Sequence, residues 1–386
     1  MADPDDTAEL DRDLQLGPAR VRLTVRSGDT GWHELHRELD ALPAARCTVL
    51  ADPGTAPGLL ARIRPGAPVL HTDGAATLSD VERLAERLLA AGAGRDTVLL
   101  AVGGPDVANL GGLLAALLFQ GCRLVQVPTT LGALCGPALS LRHTVASGVL
   151  GAWHAPQLVL GQLDFLDRQP VDGLRADLAE VVRHVLAVCP GPYDRVAASL
   201  RREGRPSRRE LVAYVALCAD ARAAVLAYDP QERGPGLALE YGRTLGRAIR
   251  LLCGGDLPVG HADALGMLTA ARIAVRRGLL DREGERAHLE LLAAARLPLV
   301  PPVPIDPAAF PAAVRLAAAR SGRRGLVLLD APGQPHCTDG SLLTDVDDAT
   351  LRHAADALAD RGTVPAQAGG GAGTGRGARV PGTAGG

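Results

Sequence analysis

Two features of this 386-residue chain could do chemistry on a phosphorylated ligand. Gly103 and Gly104 follow the apolar run at 98–102 and precede an apolar helix. The amides of a helix N-terminus would therefore face whatever sits on the glycine turn, and a pyrophosphate suits that place. Asp52, in Asp52-Pro53-Gly54, closes an earlier apolar run, where an acidic side chain could meet a ribose hydroxyl. The chain contains no lysine, so all 41 of its basic residues are arginine. A guanidinium stays protonated near neutral pH, so no step can use a neutral amine or a Schiff base.

The elements that must position these residues alternate at first. Residues 97–130 read as strand, glycine turn, helix and strand, a βαβ unit. Strands are expected at 20–25, 47–51, 68–71 and 157–160, with helices at 32–42 and at 79–92, the latter capped by Ser79. From residue 171 the apolar spacing turns to 3.6 residues. It predicts helices at 174–188, 208–228, 236–252, 261–277, 281–295, 308–320 and 345–359, with a short strand at 325–330. The expected organisation is a disordered stretch at 1–17, an α/β domain at 18–172, a helical domain at 173–360 and a disordered Gly/Ala/Pro tail at 361–386.

Apolar residues make up 47% of the chain and aromatics 2%, so the cores must be built from Leu, Val and Ala. A net charge of −2 gives no reason to expect nucleic acid or an anionic membrane as partner. The N-terminus has no apolar run, and the longest apolar stretches are interrupted well short of a bilayer span, so the reading is a soluble, cytoplasmic protein. Seven scattered cysteines with no CxxC are read as reduced, mostly buried thiols.

Several runs resemble one family: GGPDVANLGG at 103–112, RLVQVPTT at 123–130, AEVV at 179–182, LEYGRTLGRAI at 239–249 and LPVGHADALGM at 257–267. They are similar to the sugar-phosphate cyclases, the dehydroquinate synthase-like family. Asn109 and Glu240 favour its aminoglycoside-pathway branch, the 2-deoxy-scyllo-inosose synthases. The resemblance implies a fold with an α/β N-terminal nucleotide-binding domain and an all-helical C-terminal domain. It also implies NAD in the first, a divalent metal (Zn or Co) in the second, and a sugar phosphate as a possible ligand. The implied chemistry is carbocycle formation from glucose 6-phosphate, a carbon–oxygen lyase reaction in which a hydroxyl is transiently oxidised, phosphate is eliminated and the ring closes by aldol addition.

Carried over position by position, Asp52, Gly103, Gly104, Asn109, Thr129, Thr130 and Phe165 fall on nucleotide positions, although Pro105 replaces a third glycine and removes an amide donor. Of the metal positions, Glu180 is retained, while the histidine positions hold Arg243 and Val259. His184, one turn after Glu180, and His261 are the substitutes at hand for a relocated ion. Glu240, Arg142, Arg183 and Arg222 fall on catalytic positions, and Arg323 on a phosphate-binding one. A buried Glu180 without its dication needs another cation, so Arg243 is expected to pair with Glu180, and Arg247 with Glu240 or Asp106. The expected function is a cyclase homologue that no longer cyclises and serves as a partner or regulator. It would be a homodimer, or a heterodimer with an active cyclase, formed through the α/β domain. An active cyclase with a rearranged metal site and an NAD-linked enzyme with altered chemistry remain as alternatives.

Overall fold

A computed structural model describes residues 8–42, 46–72, 77–145 and 148–359. The first half runs β1 (Leu10–Leu16), β2 (Ala19–Arg26), α1 (Gly28–Ala41), β3 (Arg46–Ala51), α2 (Pro57–Ile63), β4 (Val69–His71), α3 (Leu78–Ala90), β5 (Thr97–Gly103) and α4 (Pro105–Leu117). It continues through β6 (Arg123–Pro128), α5 (Leu131–Cys135), β7 (Arg142–Val145), β8 (Leu150–Trp153), β9 (Leu158–Gln162) and α6 (Leu163–Arg168). Seven strands form one sheet in the order β1-β2-β9-β6-β5-β3-β4, parallel except for the β1–β2 pair. Because side chains alternate along a strand, β5 sends Val98, Leu100 and Val102 into one core with Trp32, Leu35 and Ile63, and Leu99 and Ala101 into another with Leu84, Leu88 and Leu110. The central strands are covered on both faces, which explains their unbroken apolar runs.

The second half is α7 (Val171–Ala187), α8 (Tyr193–Leu200), α9 (Arg208–Leu226), α10 (Arg243–Leu252), α11 (Val259–Arg276), α12 (Arg282–Ala294) and α13 (Phe310–Arg320). The small β10 (Leu329–Ala331) and β11 (Gln334–Pro335) follow, and then α14 (Asp348–Ala359). A single core runs through both halves, from Leu10, Leu14 and Val21 by way of Leu131 and Leu134 to Val181, Val185, Leu265 and Phe310. No helix among the described residues is long and apolar enough to cross a membrane.

The structure corrects the sequence reading in several places. The stretch 1–17 is not disordered throughout: Leu10–Leu16 pairs residue for residue with Ala19–Val25 across a turn at Gly17. Leu10, Leu14 and Leu16 are buried, and the charges that masked this alternation lie on the open face. Thr77, not Ser79, caps α3, through a bond from the Asp80 amide. The single helix expected at 236–252 is a 3₁₀ turn over Pro235–Glu240 and then α10, parted at Gly242, whose φ of +78° favours glycine. The helices α2 and α8 and the β7–β8 hairpin were not anticipated. The tail at 361–386 lies outside the described residues.

Glycines let α10 and α11 cross closely, and this crossing holds Arg243, at the start of α10, against buried Glu180 and Glu240. A Cβ on Gly246 would lie 2.7 Å from the Ala262 carbonyl oxygen and 3.0 Å from the Asp263 nitrogen, both rigid backbone. Gly246→Ala should therefore lower stability by about 2 kcal/mol in urea unfolding, despite alanine's better helix propensity. Gly191→Ala, with nothing within 4 Å, should stay within about 0.5 kcal/mol of the parent.

Candidate functional site

Charged residues from four helices, one strand and two connecting turns meet where the halves join. Glu180 projects from the middle of α7, a helix with twelve buried residues, and is 8% exposed. A carboxylate so enclosed requires countercharge. Arg243, the first residue of α10, supplies it: its Nη2 donates to both Glu180 oxygens, at 3.1 and 3.0 Å. Arg183, one turn along α7 and fully buried, donates to Glu180 and to Asp263 of α11, and its Nε to the Tyr241 carbonyl at 3.0 Å. Arg222 of α9 brings Nη1 to 3.5 Å from Glu180.

Beside this cluster lies a second one around Glu240, which is 4% exposed. Arg142 of β7 donates to it at 2.9 Å, and Arg247 does so at 3.4 Å. Arg323 and Arg243 stand 3.0 and 3.6 Å away. Glu232 accepts from Arg142 at 3.2 Å and from Arg323 at 3.3 Å, holding both guanidiniums from behind. Glu232 does this from a left-handed backbone, φ +51°, an unusual conformation for a glutamate and one costing about 1 kcal/mol. Six guanidiniums thus surround four carboxylates, which leaves the joint cluster positive.

Burial by itself would raise the Glu180 carboxyl, but the charges of Arg183, Arg243 and Arg222 outweigh it and hold the group far below the usual carboxylate range. Glu240 is likewise held well below, burial being overcome by Arg247, Arg243, Arg323 and Arg142. Arg243 moves up: burial opposes its charge, and Glu180, Glu240 and Asp263 more than compensate.

The expected Arg243–Glu180 pair is present, and Arg247 chooses Glu240. The other histidine position, Val259, is 61% exposed at the start of α11. Neither substitute histidine turns to Glu180 as a ligand. The His184 Nδ1 donates to the backbone carbonyl of Glu180 at 2.7 Å, and His261 is influenced by Asp172, two turns earlier on α7. No group of three or more His, Cys, Asp or Glu side chains among the described residues could hold a metal. The donor set around Glu180 is cationic and does not fit a divalent ion. Arg183 and Arg222, fully enclosed by protein, leave no surface for a ligand, whereas Arg142, Arg243 and Arg247 keep part of their side chains open.

Asp263 and Glu232 escaped the sequence reading. Asp263 lies one helical turn beyond Val259, an acid in the apolar run ADALGM, and a lone acid in such a run signals a buried ion pair. Glu232, in an irregular turn, has no comparable signal.

At the carboxyl edge of the sheet, Asp52, Gly103, Gly104, Thr129 and Thr130 come together, as the ends of β3, β5 and β6 are neighbours. Asp52 accepts from the Gly104 amide at 2.7 Å; burial and nearby Asp106 raise its carboxyl, and that amide bond opposes them. A Cβ on Gly103 would strike Asp52 and Val107, while the space over Gly104 is open to 3.7 Å. Pro105, the first residue of α4, contributes no amide to this edge. Two expected nucleotide residues are engaged elsewhere. The Asn109 side chain pairs with the Thr144 backbone, accepting at 2.8 Å, and Phe165 packs edge-on against Trp32 with centroids 5.8 Å apart.

A two-half protein with a dinucleotide-type sheet edge and a charged cleft against a helical bundle has the architecture of the dehydroquinate synthase-like enzymes. The family descriptions 3-dehydroquinate synthase N-terminal and C-terminal match residues 68–176 and 177–316. Among similar proteins, the 2-deoxy-scyllo-inosose synthase of Streptomyces kanamyceticus is 36% identical over 370 residues, covering 88% of this chain and 91% of that one. The enzyme of the same name from Streptomyces ribosidificus is 37% identical over 299 residues, covering 74% and 75%. A crystal structure of 2-deoxy-scyllo-inosose synthase complexed with carbaglucose-6-phosphate, NAD+ and Co2+ superposes with a TM-score of 0.80 at 27% identity, covering 90% of this chain and 99% of that chain. A 2-epi-5-epi-valiolone synthase with NAD+ and Zn2+ bound shares the fold at a TM-score of 0.72. The chain belongs to the 3-dehydroquinate synthase-like family of sugar-phosphate cyclases.

Two expectations follow from the charge arrangement. Arg243→Met should cost about 3 kcal/mol, because Glu180 keeps Arg183 and Arg222 but loses its two-oxygen contact. The folded pKa values of Glu180 and Glu240 lie below their unfolded values of about 4.3, so their stabilisation is full above that pH and is lost as pH falls through the folded values. The parent should hold this contribution down to strongly acidic pH. In Arg243→Met the loss should begin at a higher pH, read by urea unfolding with circular dichroism from about pH 3 to pH 8.

Proposed function

We propose that this chain is a homologue of 2-deoxy-scyllo-inosose synthase that has lost ring closure and acts as a non-catalytic partner or regulator of an active cyclase. The observation that carries this reading is the Arg243 guanidinium bound to both oxygens of Glu180. Ring closure with phosphate elimination calls for a Lewis acid at an oxidised carbon and for groups that take up protons. A guanidinium has no empty orbital for a substrate oxygen and does not give up its proton near neutral pH. Six arginines and the four carboxylates they hold supply charge and hydrogen bonds, but no proton acceptor placed beside an electrophile. The cradle at Gly103 and Gly104 leaves NAD binding compatible with this reading, and a bound NAD would supply hydride transfer. The positive surplus of the cleft likewise suits a sugar phosphate held without turnover.

An apolar surface on the α/β half supports the partner role. Leu117 at the end of α4, together with Val149, Leu150 and Trp153 on the β7–β8 hairpin, is between 44% and 62% exposed, and α4 packs on β8. Apolar side chains grouped on a short edge strand suit pairing with another chain.

The purified full chain, given glucose 6-phosphate, NAD+ and Co2+, is expected to release neither phosphate nor carbocycle and to carry substoichiometric metal, with an active 2-deoxy-scyllo-inosose synthase as positive control. Turnover, or one tightly held Co2+ or Zn2+, would sink the reading. Co-expressed with such an active enzyme, the tagged chain should retain it on affinity resin, and Trp153→Asp should release it. A chain that elutes alone removes the partner role.

A further inference from the structure

Two thiols face each other where the halves of the molecule join. Cys135 ends α5 on the α/β side, and Cys218 sits in the middle of α9 on the helical side. Both are fully buried in the core shared by the two halves, and α5 packs against α9. Each thiol is hydrogen-bonded to the other. A third group points into the same place. The His184 Nδ1 donates to the Glu180 carbonyl; its Nε2 is buried, has no nitrogen or oxygen partner, and the ring lies beside the Cys218 thiol.

We propose that Cys135 and Cys218 form a reversible disulfide site that ties the α/β half to the helical half. The two sulfurs are not equivalent. Burial would raise Cys218, but the hydrogen bond from Cys135 and the neighbouring His184 bring it down to about 6, whereas its bond to Cys218 and burial raise Cys135. Cys218 is therefore the attacking sulfur and Cys135 the resolving one. With hydrogen peroxide as oxidant, the Cys218 thiolate takes one peroxide oxygen to become a sulfenic acid, and the other oxygen leaves as water after gaining a proton. The Cys135 sulfur then displaces the sulfenic oxygen as a second water, forming the S–S bond. Two thiols are oxidised by two electrons, one peroxide is reduced to two waters, and a small dithiol reverses the change.

The link would close a long loop and join the halves covalently, which restricts the unfolded chain. The site stands whether or not ring closure has been lost, and its readouts do not involve catalysis. The full chain is treated with hydrogen peroxide, its remaining thiols are alkylated under denaturing conditions, and the peptides are read by mass spectrometry. A Cys135–Cys218 linked peptide is expected, with a Tm several degrees above the reduced protein and both reversed by dithiothreitol. Cys135→Ala should give neither the linked peptide nor the Tm rise. If that variant does not fold, the parent digest still decides. The proposal is overturned if the linked peptide is absent once exposed Cys189 and Cys337 are fully oxidised, or if Cys135 and Cys218 reach only sulfinic or sulfonic acids.

Discussion

A carboxylate enclosed in the middle of a helix bundle must have a cation beside it, and the rest of this molecule is arranged around that demand. Glu180 is 8% exposed, on a helix whose other neighbours are mostly Leu, Val and Ala. Leaving it uncompensated would cost several kcal/mol. Its cations come from three helices: Arg183 from α7, Arg222 from α9 and Arg243 from α10. Each belongs to the chain, so the balance is covalently guaranteed and does not depend on the concentration of a dissociable ion.

Planar monocations shape their surroundings as well. A guanidinium satisfies more than one acceptor in its plane, so each added arginine draws in further acids. Arg183 brings Asp263 into the cluster, while Arg142 and Arg323 bring Glu232. The result is a lattice of charges in which Glu240 alone touches four guanidiniums. The left-handed backbone at Glu232 is a local cost of completing it.

The architecture was legible in the sequence because its signals are periodic and repeated. The parallel strands showed as apolar runs, the glycine turn showed between a strand and a helix, and the helices showed their spacing. β1 was missed because its open face carries the charges of an acidic terminus, which hide the burial of Leu10, Leu14 and Leu16. In the cleft, the Arg243–Glu180 contact could be anticipated because a known pattern placed both residues and charge balance then fixed their relation. The Arg183–Asp263 pair could not, since its members are 80 positions apart on different helices and no spacing rule joins them. Glu232 lies in a turn whose conformation is set by tertiary contacts.

The ion lattice and the thiol pair occupy one junction. Both lie where α5, α7 and α9 meet, and His184 links them, its Nδ1 on the Glu180 carbonyl and its ring beside Cys218. Arg222 touches Glu180 and also feels Cys218, while Glu180 opposes charge on that sulfur, whose pKa is lowered by its bond from Cys135 and by His184. The boundary between the two halves thus carries the arginine–carboxylate lattice on one side of His184 and the thiol pair on the other.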